Sequence, residues 1–174
     1  DDYLQWYDAY DRFLKEKGFD KAFPTVDDLT RSMGNVSFYY QGRIIENIRI
    51  SNTVDAYAVN GWESMKLENH SGIVDNYRFP KGDPEVMARY NAPLYLAVKM
   101  NRKVVSTGDT TLVDTYIVNE KNLKGSYILN LVAKDESGNV VASHKERVTV
   151  KGGNDYGQCL QSGWAFIPKS KGYT

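Results

Sequence analysis

Eleven consecutive residues, Glu68-Asn69-His70-Ser71-Gly72-Ile73-Val74-Asp75-Asn76-Tyr77-Arg78, bring a carboxylate, an amide, an imidazole and a guanidinium into one short stretch. Such a mixture can line a sugar subsite or hold a cation through oxygen ligands. His70, Ser71 and Asp75 have the side-chain types of a hydrolase triad. Nothing places Ser71 on a strained elbow or supplies an oxyanion hole, so no triad is expected. His70 and His144 are the only histidines and Cys159 the only cysteine. An internal disulfide and a thiolate metal site are therefore excluded, a histidine-rich one is not expected, and no cofactor is called for. Cys159 reads as a small core or half-buried thiol. Asn35-Val36-Ser37 and Asn69-His70-Ser71 match the glycosylation acceptor pattern, which is too common by chance to set a compartment.

The elements that must carry these residues fall into two halves. With 174 residues, 41% hydrophobic and 25% charged, the chain has the composition of one globular domain or two small ones. Lys plus Arg equals Asp plus Glu at 22 each, which leaves no field to gather nucleic acid or an anionic membrane. No apolar run approaches the ~18 residues of a membrane span, and no signal peptide is visible. The opening Asp1-Asp2-Tyr3, without methionine, reads as a processed or excised start.

Tyr3, Trp6, Tyr7, Tyr10, Phe13 and Leu14 recur at helical spacing and Gly18 supplies a stop, so residues 3–14 are predicted helical, with an aromatic docking face. Thr25-Val26-Asp27-Asp28 opens a second helix that keeps its spacing to about Ser51, with Gly34 and Gly42 as points of breakage or kinking. The alternating residues 54–60 predict one strand, which must pair within the chain or belong to a sheet lying outside it. Residues 64–91 read as a long loop with one helical turn near Glu85 to Arg89. From Pro93 onward the chain reads as β, with strands at 94–100, 111–119, 127–134, 140–150 and around 159–167. Turn signals between them have the spacing of a small sandwich. Lys171-Gly172-Tyr173-Thr174 looks like a turn into a further strand.

The run Tyr40-Gln41-Gly42-Arg43-Ile44-Ile45-Glu46-Asn47-Ile48-Arg49, followed by Val54-Asp55-Ala56-Tyr57-Ala58-Val59-Asn60-Gly61-Trp62-Glu63, resembles the end of the catalytic barrel of family 2 glycoside hydrolases, the β-galactosidase-, β-mannosidase- and β-glucuronidase-like enzymes. Pro93-Leu94-Tyr95-Leu96-Ala97-Val98, Gly108-Asp109, Tyr116-Ile117-Val118-Asn119-Glu120 and Leu123-Lys124-Gly125 are similar to the sandwich domains of the same enzymes. The resemblance covers residues 36–174 and rests on the order of motifs more than on any one of them. It implies an α+β chain: an N-terminal helical segment (remnant of a (β/α)8 barrel, residues 1–91) followed by an immunoglobulin-like antiparallel β-sandwich (residues 92–174), incomplete at its C-terminus.

The resemblance also implies a particular chemistry. Retaining enzymes of this kind use two carboxylates about 5 Å apart on different barrel strands, and those strands would precede residue 1. Asn119-Glu120 and Glu68-Asn69 fit neither the position nor the order of the acid/base pair, so no catalytic residue is assigned and the chain by itself is expected to be inactive. Trp62 and Glu63 follow the expected last strand, at the rim where barrels hold substrate, and become substrate-binding candidates with His70 and Arg78 of the capping loop. The implied partners are carbohydrate and the remainder of the parent polypeptide, in a bacterial periplasm or outside the cell, and the unpaired edges and apolar helix face of such a remnant predict self-association or domain swapping. The competing reading is a non-catalytic carbohydrate-binding or adhesion module, which requires exposed aromatics along one sheet face.

Overall fold

The computed structural model describes residues 2–59, 61, 72–75, 77–169 and 171–172. Among them the chain is α+β, with helices in its N-terminal part and antiparallel sheets after them. It divides into two compact units, one of Asp1–Ile45 with Ala56–Asn91, the other of Glu46–Asp55 with Ala92–Thr174. No helix is long and apolar enough to cross a membrane among these residues.

In the first unit, α1 (Asp2–Lys17) ends where Gly18 turns left-handed at φ 70°, a conformation that costs glycine nothing. Leu14 is buried, whereas Tyr3, Trp6, Tyr7, Tyr10 and Phe13 remain between 43% and 56% exposed. The next helix, α2 (Val26–Ser51), starts on a reciprocal cap. Thr25 Oγ1 accepts from the Asp28 amide at 3.2 Å, while Asp28 Oδ2 accepts from the Thr25 amide at 3.1 Å and from its hydroxyl at 2.7 Å. Orphan donors at the helix start are thereby satisfied in both directions.

The expected weak points at Gly34 and Gly42 do not interrupt α2, which is one continuous helix. Both glycines serve close approach instead. A Cβ on Gly34 would overlap the backbone of Lys81, and one on Gly42 would overlap the ring of Tyr90. Tyr90 closes α3 (Pro84–Tyr90), longer than the single turn expected, with Asp83 as N-cap accepting from the Glu85 amide at 3.0 Å and Pro84 in the first turn.

The strand expected over residues 54–60 is not formed. Residues 54–59 are irregular, Val54 is 50% exposed, and no ladder partner stands beside them among the described residues. An alternating run without a neighbouring strand cannot satisfy its backbone as a sheet, and its period alone does not hold it extended. Asn60 lies outside the described residues.

Among the described residues the second unit has the strands β1 (Leu94–Met100), β2 (Thr111–Asn119), β3 (Gly125–Lys134), β4 (Val140–Val150) and β5 (Gly157–Phe166). They form a three-stranded antiparallel sheet in the order β1-β2-β5 and a two-stranded sheet β3-β4. The two sheets meet where Leu129, Leu131 and Val148 pack against Leu160 and Trp164.

Directly paired residues share a sheet face, so the buried Val113, Thr115 and Ile117 of β2 lie on the same side as their partners Met100, Val98 and Leu96. The opposite face carries Tyr95, Ala97 and Lys99 and receives the last turns of α2. There Glu46, 1% exposed, accepts from the Tyr95 hydroxyl at 2.7 Å and pairs with Lys99 at 2.6 Å. Arg49 donates to the Ala92 carbonyl at 2.8 Å and to Glu120 at 2.7 Å. Asn52, left-handed at φ 55°, ends the helix region and exchanges two hydrogen bonds with the Gly157 backbone, at 2.7 and 2.5 Å. Polar bonds thus fasten the end of α2 to the sheet.

Candidate functional site

An open groove of about 1070 Å³ lies within the first unit, between the first turns of α2 and the loop that leads into α3. The loop is held by its own backbone. The amide of Asp75 donates to the Phe79 carbonyl at 2.9 Å, that of Lys81 donates to the Ile73 carbonyl at 3.0 Å, and Val74 bridges to Pro80. Asp75 Oδ1 then accepts from the amides of Tyr77 and Phe79 at 2.8 and 2.9 Å. An aspartate so placed fixes a turn from inside, replacing a strand partner by its side chain. Gly34 lets the loop reach the helix backbone, and Asn35 anchors it by accepting from the Asp83 amide at 2.6 Å.

These bonds decide which of the lining groups remain for a ligand. Asp75 is consumed by the turn, Asp83 by the cap of α3, and Asn35 by the loop. Asp27 and Arg31 stand one helical turn apart on the exposed side of α2, and Phe79 is 68% exposed on the facing loop. The groove therefore offers a carboxylate acceptor, a guanidinium fork and an aromatic ring, the set used to hold a polyhydroxylated molecule by hydrogen bonds and ring stacking. Among the described residues, Asp27 is the one lining carboxylate that accepts no backbone amide. Among the described residues there is also no group of three or more His, Cys, Asp or Glu side chains placed to hold a metal ion.

Of the residues singled out in the sequence, Trp62, Glu63 and His70 lie outside the described residues. Arg78 is described. It sits exposed at the tip of the 73–81 loop, left-handed at φ 69°, with its amide donating to the Asp75 carbonyl at 2.9 Å. It does not line the groove. Sequence reasoning passed over Asp27, Arg31 and Phe79. The signal that could have found them was the Pro80-Lys81-Gly82-Asp83-Pro84 run, whose two prolines frame a stiff loop.

In the second unit, Cys159 pairs with Tyr116 across β2 and β5 and is exposed, not half-buried as its type suggested. Partial desolvation, aided by the negative charge of Asp114, still pushes its thiol above the usual cysteine range. Burial raises the Tyr116 phenol likewise. A thiol shifted in that direction is a poor nucleophile at neutral pH. His144 is stacked on Trp164 with ring centroids 5.7 Å apart, and its Nε2 lies 3.3 Å from Glu146.

No family model matches the chain, and neither the curated proteins nor the solved structures contain a significant match to it.

Proposed function

We propose that this chain is a non-catalytic part of a glycoside hydrolase acting on oligo- or polysaccharide. In this reading the helical part is a remnant of a (β/α)8 barrel and the β part is an immunoglobulin-like sandwich that serves as scaffold, in a periplasmic or extracellular setting. The observation that carries the reading is the groove. Asp27, Arg31 and Phe79 offer the chemistry of a sugar subsite, while Asp75 and Asp83, the other lining carboxylates, are held by backbone amides. Retaining hydrolysis needs two carboxylates free to act as acid and nucleophile, and among the described residues the groove supplies one that is not held by backbone amides.

The aromatic face of α1 supports the same reading. Five rings at 43% to 56% exposure along one helix suit a barrel helix that packs against further polypeptide of its parent. The alternative of a free-standing sugar-binding sandwich calls for aromatic rings displayed along a sheet. In this sandwich Trp164 is stacked under His144 and packed against the core, and Phe166 is 6% exposed, which favours the groove over the sheet.

The test is calorimetric titration of the chain with a panel of neutral oligosaccharides, beside a long incubation assayed for released reducing ends. Weak binding, of the order of millimolar, that is lost in Arg31→Ala, together with no hydrolysis, is the expected result. Release of sugar would overturn the non-catalytic reading. Binding that ignores Arg31 and Phe79 would overturn the site.

A further inference from the structure

The strand β3 runs ten residues, Gly125-Ser126-Tyr127-Ile128-Leu129-Asn130-Leu131-Val132-Ala133-Lys134, with no proline and no charge before its last residue. Its neighbour β4 carries His144, Lys145, Glu146 and Arg147 in succession. Among the described residues β4 is the one strand that pairs with β3, so the other edge of β3 presents a row of backbone donors and acceptors. Soluble proteins blunt such edges with lysine, proline, bulges or short strands. β3 has one irregularity, at its Ala133/Lys134 end, and is otherwise long, regular and apolar, with Ile128 61% and Val132 43% exposed. A two-stranded sheet is also marginal by itself and gains from another strand.

We propose that β3 is an intermolecular edge, and that two copies of this chain pair through it, antiparallel, about a two-fold axis at Asn130. The occupant of an open edge is fixed in kind, since only another extended backbone matches its donors and acceptors. The sequence of β3 favours a second β3 because it is close to a palindrome about Asn130. In that register Leu129 meets Leu131, Ile128 meets Val132, Tyr127 meets Ala133 and Ser126 meets Lys134. Leu129 and Leu131, which belong to the core of the unit, stay on the inner face in both copies, and Ile128 and Val132 form a continuous outer patch. No charge opposes a like charge. The in-register parallel arrangement would set Lys134 against Lys134 and loses on that account. The product is an isologous four-stranded sheet in the order β4-β3-β3-β4, the closed symmetry that most homodimers use.

The experiment is sedimentation equilibrium of the whole chain over a wide range of concentration. The average mass is expected to rise from one chain toward two. Asn130→Glu places two carboxylates across the axis, and it is expected to weaken the dimer severalfold or more while leaving the circular dichroism spectrum of the monomer unchanged and its Tm no lower, because Asn130 is exposed and its partner across β4 is Lys145. The register is read separately with Asn130→Cys in a Cys159→Ser background. Paired Cα atoms in such a ladder lie about 4.5–5.5 Å apart, within disulfide reach, so mild oxidation is expected to give a covalent dimer. A chain that stays monomeric at every concentration overturns the proposal. So does a dimer that survives Asn130→Glu and fails to cross-link at position 130, or one dissolved by Trp6→Lys on α1 instead.

Discussion

Gly34 of α2 and Lys81 of the loop before α3 pass so closely that a Cβ on Gly34 would stand inside the van der Waals shell of the Lys81 carbonyl. The obstacle is backbone on both sides, so neither partner can rotate away. Alanine in a helix interior is ordinarily worth about 1 kcal/mol over glycine. Here the overlap dominates, and Gly34→Ala is expected to destabilise the protein by about 2 kcal/mol or more. Urea unfolding measures the loss, and oligosaccharide titration reads the accompanying displacement of the groove wall. A stabilised variant would mean that the loop does not rest on the helix.

Glu46 and Lys99 make the second prediction. Glu46 is buried, while the Lys99 side chain keeps a relative exposure of 20% and also bonds to Asn47. Glu46→Gln removes the countercharge of a largely desolvated ammonium and is expected to cost about 2 kcal/mol, less than for a fully buried pair. Combining it with Lys99→Met removes the stranded charge and should recover most of that loss. A Glu46→Gln variant as stable as the wild type would show that the pair is unimportant, and no recovery in the double variant would show that the stranded charge is not the cause of the loss.

At the start of α2, Thr25→Ala deletes the hydroxyl that accepts the Asp28 amide. A loss of about 1 kcal/mol is expected from the cap alone. Thr25→Ser keeps the oxygen and should keep the stability. Thermal melting of the three proteins side by side decides it.

The turn between β3 and β4 is sensitive to acid. Asp135 accepts from the side-chain and backbone nitrogens of Asn139 and from the Ser137 amide, and these bonds, led by the Asn139 side chain, hold its carboxyl below the usual range. A carboxyl depressed in the folded state contributes stability that is present above its unfolded value, about 3.9, and is lost as pH falls through the folded one. NMR titration should place the Asp135 midpoint below that of a free aspartate, with faster exchange of the Ser137 and Asn139 amides once it protonates. A normal midpoint would sink the assignment.

Alkylation of Cys159 supplies the last test. Desolvation and Asp114 raise its thiol, so its reaction with iodoacetamide should be slow at neutral pH and reach half-maximal rate above the ~8.5 of a free cysteine. Asp114→Asn is expected to bring that midpoint down. Asparagine keeps an oxygen to accept from the Ser162 hydroxyl and the Gly163 amide but loses the charge that strengthens both bonds, so the fold of that variant is checked first.

Local order was legible from residue types alone. The periods of β1, β2 and β4, the capping pair Thr25 and Asp28, the stop at Gly18 and the continuation of α2 to Ser51 all reflect interactions within a few residues, which sequence spacing encodes directly. The run 54–60 had the period of a strand and did not become one, because a strand exists only with a partner, and partnership is a property of the whole chain.

The candidate site shows the same division more sharply. Asp27, Arg31 and Phe79 are unremarkable in sequence, with the third far from the first two, and what joins them is the descent of the 73–83 loop onto Gly34. Asp75, chemically the most inviting carboxylate of the 68–78 run, is spent on holding a turn. The sequence by itself determined the helices and strands whose pattern is local and which side chains have the chemistry to bind, but not the fate of the 54–60 run. The tertiary structure decided which of those side chains share a groove, because the approach of the loop to Gly34 and the bond from the Asp83 amide to Asn35 join positions far apart in sequence and leave no trace in the spacing of residues.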